Sequence, residues 1–237
     1  MQAIILAGGK GTRLKPYTTI FPKPLVPIGE YPILEIIILQ LVRSGFNKIT
    51  ISTGYLAELI EAFFGNGERW GVTIEYVREY TPLNTAGALK LVEKCEDNIL
   101  VMNGDILTTL DYGKLFTLHK EKGFKATVAT KKRESIIDFG VLKFDEQGLL
   151  QEYLEKPVYP FSVSMGVYVL SRDCLNLIND GESIGMPDLL MRMLKNGEMV
   201  YCYRSDCYWL DIGRVDDYEK AQDEFMERKK EFLGDNH

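Results

Sequence analysis

Short apolar runs of strand length recur through the first half of the chain. Each is followed by a stretch in which apolar residues return every three or four positions. The runs predict strands near 2–6, 48–53, 72–77 and 98–102, and the intervening stretches predict helices over 31–44, 56–64 and 85–93. Such alternation predicts an α/β chain with a mostly parallel, doubly wound sheet that binds ligands beyond the carboxyl ends of its strands. In the second half the rhythm changes. Strand-like segments near 125–130, 139–144, 149–154 and 162–170 follow one another with few helices between them, and helices resume at 172–179, 186–195 and 215–231. This predicts a mixed extension of the sheet. Asp216 and Asp217 near the start of the last helix, and Arg228, Lys229 and Lys230 near its end, suit the helix dipole.

The first strand empties into Leu6-Ala7-Gly8-Gly9-Lys10-Gly11-Thr12-Arg13, followed at a short distance by Phe21-Pro22-Lys23-Pro24. Glycines at 8, 9 and 11 let backbone N–H groups crowd around an anion, while Arg13 and Lys23 add cationic side chains. Pro22 and Pro24 are expected to hold Lys23 extended. Two common glycine motifs do not fit: Leu14 stands where a dinucleotide fingerprint needs its third glycine, and the P-loop pattern has no match. A bare glycine-rich turn would explain the glycines alone. It would not explain the two cations, and a polyphosphate cradle accounts for both.

The segment from Leu6 to Ile28 as a whole resembles the signature of the sugar-1-phosphate nucleotidyltransferases, and the resemblance extends over nearly all the chain. It implies a reaction in which a sugar 1-phosphate attacks the α-phosphate of a nucleoside triphosphate with Mg²⁺, giving a nucleoside-diphosphate sugar and pyrophosphate. It implies a Rossmann-like, GT-A-like fold with a small sugar-binding β extension. One domain is expected over 1–237, with a nucleotide-binding half at about 1–110 and a sugar-phosphate-binding half at about 111–237. Arg13 is then assigned to the β- and γ-phosphates, and Lys23 to the phosphates around the reacting centre. Leu6, Ala7, Gly8, Gly9, Gly11 and Thr12 complete the nucleotide cradle, joined by Asn103 and Gly104 at another strand end.

Composition narrows the partners. With 237 residues, 46% of them hydrophobic, the chain is long enough for one large core. A net charge of −6 offers no surface for nucleic acid or an anionic membrane, so the expected partners are small molecules, with room for a homo-oligomer. No apolar run reaches membrane-span length and no basic leader precedes the first strand, from which a cytoplasmic location is expected. Cys95, Cys174, Cys202 and Cys207 are too scattered for a zinc site and are expected to be reduced thiols. Neither His119 nor His237 belongs to a recognisable nucleophilic triad.

Asp105 follows the apolar strand 99–102, and Asp211 lies in Tyr208-Trp209-Leu210-Asp211-Ile212-Gly213. Each alone reads as a turn residue. Together at one strand-end cleft they would make a hard oxygen site suited to Mg²⁺, and both motifs resemble the family's metal-binding pair. For the sugar phosphate, Glu155-Lys156-Pro157 resembles the family's Glu-Lys-Pro motif, which would give Glu155 to sugar hydroxyls and Lys156 to the phosphate. Gly140 and Gly166 would let backbone approach the ring, and Ser164 stands where many relatives have Asn. Leu83-Asn84-Thr85-Ala86-Gly87 resembles the family's Leu-Gly-Thr-Ala-Gly loop, giving Asn84, Thr85 and Gly87 to the base, or Asn84 or Thr85 to a helix cap. The general tenor is nearest to short guanylyltransferases acting on mannose 1-phosphate or manno-heptose 1-phosphate. Thymidylyl, uridylyl or cytidylyl transfer remains an alternative, as does a non-catalytic nucleotide-sugar sensor. A metal-dependent glycosyltransferase is disfavoured by the single acid at 103–105.

Overall fold

The computed structural model describes residues 1–235; Asn236 and His237 lie outside the described residues. In chain order the strands are β1 (Gln2–Ala7), β2 (Pro27–Ile28), β3 (Tyr31–Pro32), β4 (Lys48–Thr53), β5 (Thr73–Arg78), β6 (Asn98–Asn103), β7 (Ile106–Thr108), β8 (Ala126–Ile136), β9 (Val141–Phe144), β10 (Leu150–Leu154), β11 (Val158–Ser171), β12 (Val200–Arg204) and β13 (Trp209–Asp211). The helices are α1 (Ile33–Arg43), α2 (Ala57–Phe64), α3 (Asn84–Gly87), α4 (Tyr112–Lys122), α5 (Met186–Lys195) and α6 (Val215–Leu233).

Strands β1 and β6 are apolar on both faces because both faces are covered, while β4 sends Ile49 and Ile51 into the core on one face and buries Thr50 and Ser52 on the other. The main sheet runs in the order β12-β8-β11-β6-β1-β4-β5. β5, β4, β1 and β6 are parallel neighbours; β11 runs antiparallel to both β6 and β8, and β12 is parallel to β8. The result is a Rossmann-like sheet, mixed and mostly parallel, as the alternation predicts. Three short antiparallel ladders accompany it: β13 with β7, β10 with β9, and β2 with β3.

Several elements differ from the expectation. Strands β8 and β11 are longer than expected and run on past the sheet as an exposed ribbon with β9 and β10, carrying Phe139, Phe144 and Phe161 into solvent. The helix expected over 85–93 is a single α-turn followed by a 3-10 turn over Ala88–Leu91. Its first N–H groups need a tertiary acceptor, and the Ile184 carbonyl takes both Ala86 N–H and Gly87 N–H at 3.0 Å. The expected helix at 172–179 is a 3-10 stretch over Arg172–Leu177, too short to propagate as α. Strand β12 went unpredicted because its partners come from far away in sequence.

Buried polar groups tie the helices to the sheet. His119 of α4 is fully buried between Thr127 Oγ1 at 2.9 Å and Asn98 Oδ1 at 3.1 Å. Burial pushes its pKa down to about 4. The folded protein therefore resists protonation of a group that the unfolded chain protonates near its ordinary value. This contribution to stability is complete above about pH 6.5 and is lost as pH falls toward 4. Between about pH 7.5 and pH 5 the loss from this residue is about 2 kcal/mol. Urea unfolding at the two pH values should reveal it, and His119→Gln should flatten that part of the pH dependence.

Candidate active site

Four strand ends build the main cleft, a cavity of about 750 Å³. β1 delivers Leu6 and Ala7 and releases the chain into Gly8, Gly9, Lys10, Gly11, Thr12 and Arg13 along its wall. Gly11 has φ +59, and Thr18 Oγ1 donates to its carbonyl at 2.7 Å, which pins the loop's return. β6 delivers Asn103, Gly104 and Asp105, with Gly104 N–H donating to Leu6 O at 2.9 Å across the strand ends. Gly54 and Tyr55, beyond β4, and Glu79 to Pro82, beyond β5, close the other side. Gly54 packs directly against the phosphate loop: a Cβ there would stand 2.7 Å from the Gly8 carbonyl oxygen.

Lys23 also lines this cleft, with its conformation differing from the expectation. Pro22 is extended, but Lys23 opens a 3-10 turn through Leu25, closed by Leu25 N–H to Pro22 O at 2.9 Å. Pro24 fits the second position of that turn, where no N–H is required. The Lys23 side chain is largely buried, and its ammonium lies 2.5 Å from Asp105 Oδ2.

Asp211 reaches Asp105 through the β7–β13 ladder, in which Asp211 pairs with Ile106. Ile212 N–H donates to Asp105 O at 3.0 Å, fixing the two acid-bearing segments side by side. Burial, and then the Asp105 charge, raise the Asp211 carboxyl above the usual carboxylate range. Asp105 Oδ1 is buried and has no hydrogen-bond partner among the described residues. An orphaned carboxylate oxygen beside a second, strained carboxylate fits a hard divalent cation that fills its remaining coordination with water and phosphate oxygens. Among the described residues no group of three or more His, Cys, Asp or Glu gathers for a tighter metal cage.

The other expected residues divide. Asn84 and Thr85 line the cleft. Asn84 has φ 58, a left-handed conformation that Asn tolerates better than most residues, consistent with its replacing a glycine common in the resembled loop. Neither side chain caps α3: Asn84 Nδ2 donates to Ser183 Oγ at 3.1 Å, and Thr85 Oγ1 accepts from Met186 N–H at 2.8 Å. Gly87 does not line the cleft; it is buried where a Cβ would stand 2.2 Å from the Glu182 carbonyl oxygen. Gly166, with φ +71, packs against the Asn103 side chain, and Ser164 Oγ is hydrogen-bonded to Tyr168 Oη at 2.9 Å. Gly140, Glu155 and Lys156 line neither this cleft nor the smaller cavity beside Asp211. Gly140 faces Tyr153 on the exposed ribbon, and Glu155 and Lys156 are exposed near the β10–β11 turn.

Sequence reasoning missed Glu79. Its Oε1 accepts from Ser52 Oγ at 2.8 Å and its Oε2 from Leu83 N–H at 3.3 Å, so it braces the Asn84 loop against β4. The signal was available: an acid directly beyond the carboxyl end of a parallel strand.

A glycine-rich loop beside paired acids lies at the carboxyl edge of a parallel sheet, where α/β proteins bind their ligands. The Nucleotidyl transferase family model matches residues 2–228, and the chain belongs to that family. It is 33% identical to the D-glycero-alpha-D-manno-heptose 1-phosphate guanylyltransferase of Aneurinibacillus thermoaerophilus, over 95% of this chain and 99% of that one. It is 34% identical to the UTP–glucose-1-phosphate uridylyltransferase of Synechocystis, over 93% of this chain but spanning only 62% of the relative's length. The fold superposes on HddC from Yersinia pseudotuberculosis complexed with GMP-PN at a TM-score of 0.72 and 25% identity, covering 94% of this chain and 99% of that one. No described helix is long and apolar enough to cross a membrane.

The Gly54 contact is testable. Gly54→Ala should displace the phosphate loop and destabilise the fold by about 1–3 kcal/mol, the scale of overpacking against backbone. Thermal unfolding and nucleotide titration check it, with nucleotide affinity falling alongside stability.

Proposed function

We propose that the protein condenses a nucleoside triphosphate with a sugar 1-phosphate to give a nucleoside-diphosphate sugar and pyrophosphate, with Mg²⁺ as the metal. The carrying observation is the single cleft shared by the glycine loop, Arg13, Lys23 and Asp105, with Asp211 held against Asp105 by the β7–β13 ladder. Asp105 and Asp211 would hold the cation, which when bound supplies charge neutralisation on phosphate oxygens.

No enzymic base is needed, because the sugar phosphate is an anionic nucleophile at neutral pH. Its oxygen forms the new bond to the α-phosphorus as the bond to the bridging oxygen of the β-phosphate breaks, and pyrophosphate leaves with that electron pair. The barrier is repulsion between anions. Backbone N–H groups around Gly8 to Gly11 and the Arg13 guanidinium would meet the β- and γ-phosphates. Lys23, whose ammonium already pairs with Asp105, would meet the phosphates at the reacting centre.

Asn84 and Thr85 would face the base. The preferred substrates are GTP with mannose 1-phosphate or a manno-heptose 1-phosphate, in keeping with the full-length match to the guanylyltransferase relative. The expected setting is the cytosol, where the four thiols would stay reduced.

Pyrophosphate release across a matrix of nucleoside triphosphates and sugar 1-phosphates tests the reading. GTP with a manno-configured partner should dominate, and dominance of UTP or dTTP with glucose 1-phosphate would overturn the choice of base and sugar. Lys23→Ala and Arg13→Ala should each lower turnover by about two to three orders of magnitude, the scale for losing one preorganised donor to transition-state charge. Asp105→Asn and Asp211→Asn should each abolish turnover at low Mg²⁺ and recover part of it at high Mg²⁺. An unaltered Mg²⁺ response would make that aspartate a turn residue.

A further inference from the structure

Beside Asp211 a second, smaller cavity of about 300 Å³ opens, sharing Arg13 with the main cleft. Arg133, Arg214, Trp209 and Asp217 complete its charged and aromatic lining. Three arginines thus share the lining with two aspartates, and both aspartates also serve elsewhere. Asp217 accepts the N–H groups of Gly213 at 3.2 Å and Arg214 at 2.8 Å. Asp211 belongs to the acid pair. The arginines that form ion pairs among the described residues are Arg69, Arg78, Arg172, Arg192 and Arg228, and none of them lines this cavity. With three guanidinium groups to two carboxylates, the lining of the cavity carries a net positive charge in a chain whose net charge is −6.

Arg133 is held ready for a ligand. Its guanidinium lies 5.3 Å from the centroid of the Trp209 ring, and that ring is fixed by Nε1–H donating to Met165 O at 2.9 Å. A guanidinium resting on an aromatic face keeps its planar edge of N–H donors available for an oxyanion.

Sheet order says which oxyanion. The expected base-facing loop and Glu79 follow β5, the phosphate loop follows β1, Asp105 follows β6, and Arg133 lies on β8, two strands further along the same sheet. Arg133 is therefore on the side of the acid pair away from the nucleotide end of the cleft. On the nucleotidyl-transfer reading, a triphosphate extended from the β5 side would fill the loop at β1, which leaves the β11 and β8 side to the second substrate. Lys156, expected by resemblance to meet the sugar's phosphate, stands exposed with φ 43 and lines neither cavity.

We propose that Arg133, assisted by Arg214, seats the phosphate of the sugar 1-phosphate, holding this dianion against the Asp211 side of the site. The assignment rests on the nucleotidyl-transfer reading. It gives the nucleophile its own cations, separate from Lys23 and the glycine loop, so that a second polyanion enters beside the triphosphate with its repulsion offset.

The test is steady-state kinetics on a substrate pair that the wild-type protein turns over, together with calorimetric binding of the same sugar 1-phosphate. Arg133→Ala should raise the KM for sugar 1-phosphate by about tenfold to a hundredfold, the scale for removing a hydrogen-bonded charge from a bound anion, with the KM for nucleotide unchanged. Binding should weaken in parallel. Arg133→Lys should recover only part, because an ammonium lacks both the fork and the plane that rests on Trp209. Arg214→Ala should give a smaller shift in the same direction. An unchanged sugar-phosphate KM in Arg133→Ala would overturn the seat. A rise instead in the KM for nucleotide, or for pyrophosphate in the reverse reaction, would overturn it by giving the arginine to the triphosphate. If wild-type protein releases pyrophosphate with no substrate pair, the seat falls together with the nucleotidyl-transfer reading. Turnover by wild type with an unmoved sugar-phosphate KM in the variant removes the seat alone.

Discussion

The pairing of β7 with β13 holds the candidate site together, because it brings Asp105 and Asp211 alongside one another across about a hundred residues of sequence. Two like charges do not approach without a force that keeps them there. Here the force is backbone hydrogen bonding, reinforced by side chains. Thr108 Oγ1 donates to Tyr208 O at 2.6 Å, Thr109 N–H donates to the same carbonyl at 3.1 Å, and Thr109 Oγ1 accepts from Tyr208 N–H at 3.0 Å. Burial, and then the Asp105 charge held beside it, raise the Asp211 carboxyl, and the Lys23 ammonium offsets part of that rise. The ladder is in turn braced from outside. Gln40 of α1 donates to Thr108 O at 2.8 Å, and α6 begins four residues beyond Asp211.

What could be read from the sequence follows from the range of the forces involved. β1, β4, β5 and β6 are apolar runs whose neighbours in the sheet are separated by whole helices, so periodicity alone marked them closely. The glycine loop was legible because its chemistry is local: glycines, a cation and a strand end within eight residues. Asp211 was legible only through its motif, since nothing near it in sequence requires a carboxylate. Glu79 was overlooked because its partners, Ser52 and the Leu83 N–H, become neighbours only after β4 and β5 pair. The short α3 shows the same limitation: its first turn is satisfied by Ile184, about a hundred residues away, instead of by a cap of its own.

The half expected to bind the sugar phosphate was the least legible part. Alternation along 125–170 marked four strands, but it gave no indication that β8 and β11 outrun the sheet, nor that Glu155 and Lys156 end up on an exposed turn. A strand pattern reports which residues share a face. It does not report whether that face is covered. Arg133 escaped notice for the related reason that it sits in the run Lys131-Lys132-Arg133-Glu134, which reads as an ordinary solvated stretch until Trp209 is brought beneath it.

The last helix adds an order in time. Tyr218 Oη and Gln222 Nε2 both donate to Pro27 O, at 2.9 and 2.8 Å, and Gly29 N–H donates to Gln222 Oε1 at 2.8 Å, so the segment just after Lys23 is clasped by residues made some two hundred positions later. During synthesis the glycine loop and Lys23 emerge before Asp105, and Asp105 about a hundred residues before Asp211 and the α6 clasp. A nascent chain on the ribosome thus carries the loop and the first acid long before it carries the second. The paired carboxylates come into being only once β13 has been made and has found β7, which ties the site's assembly to a late step of folding.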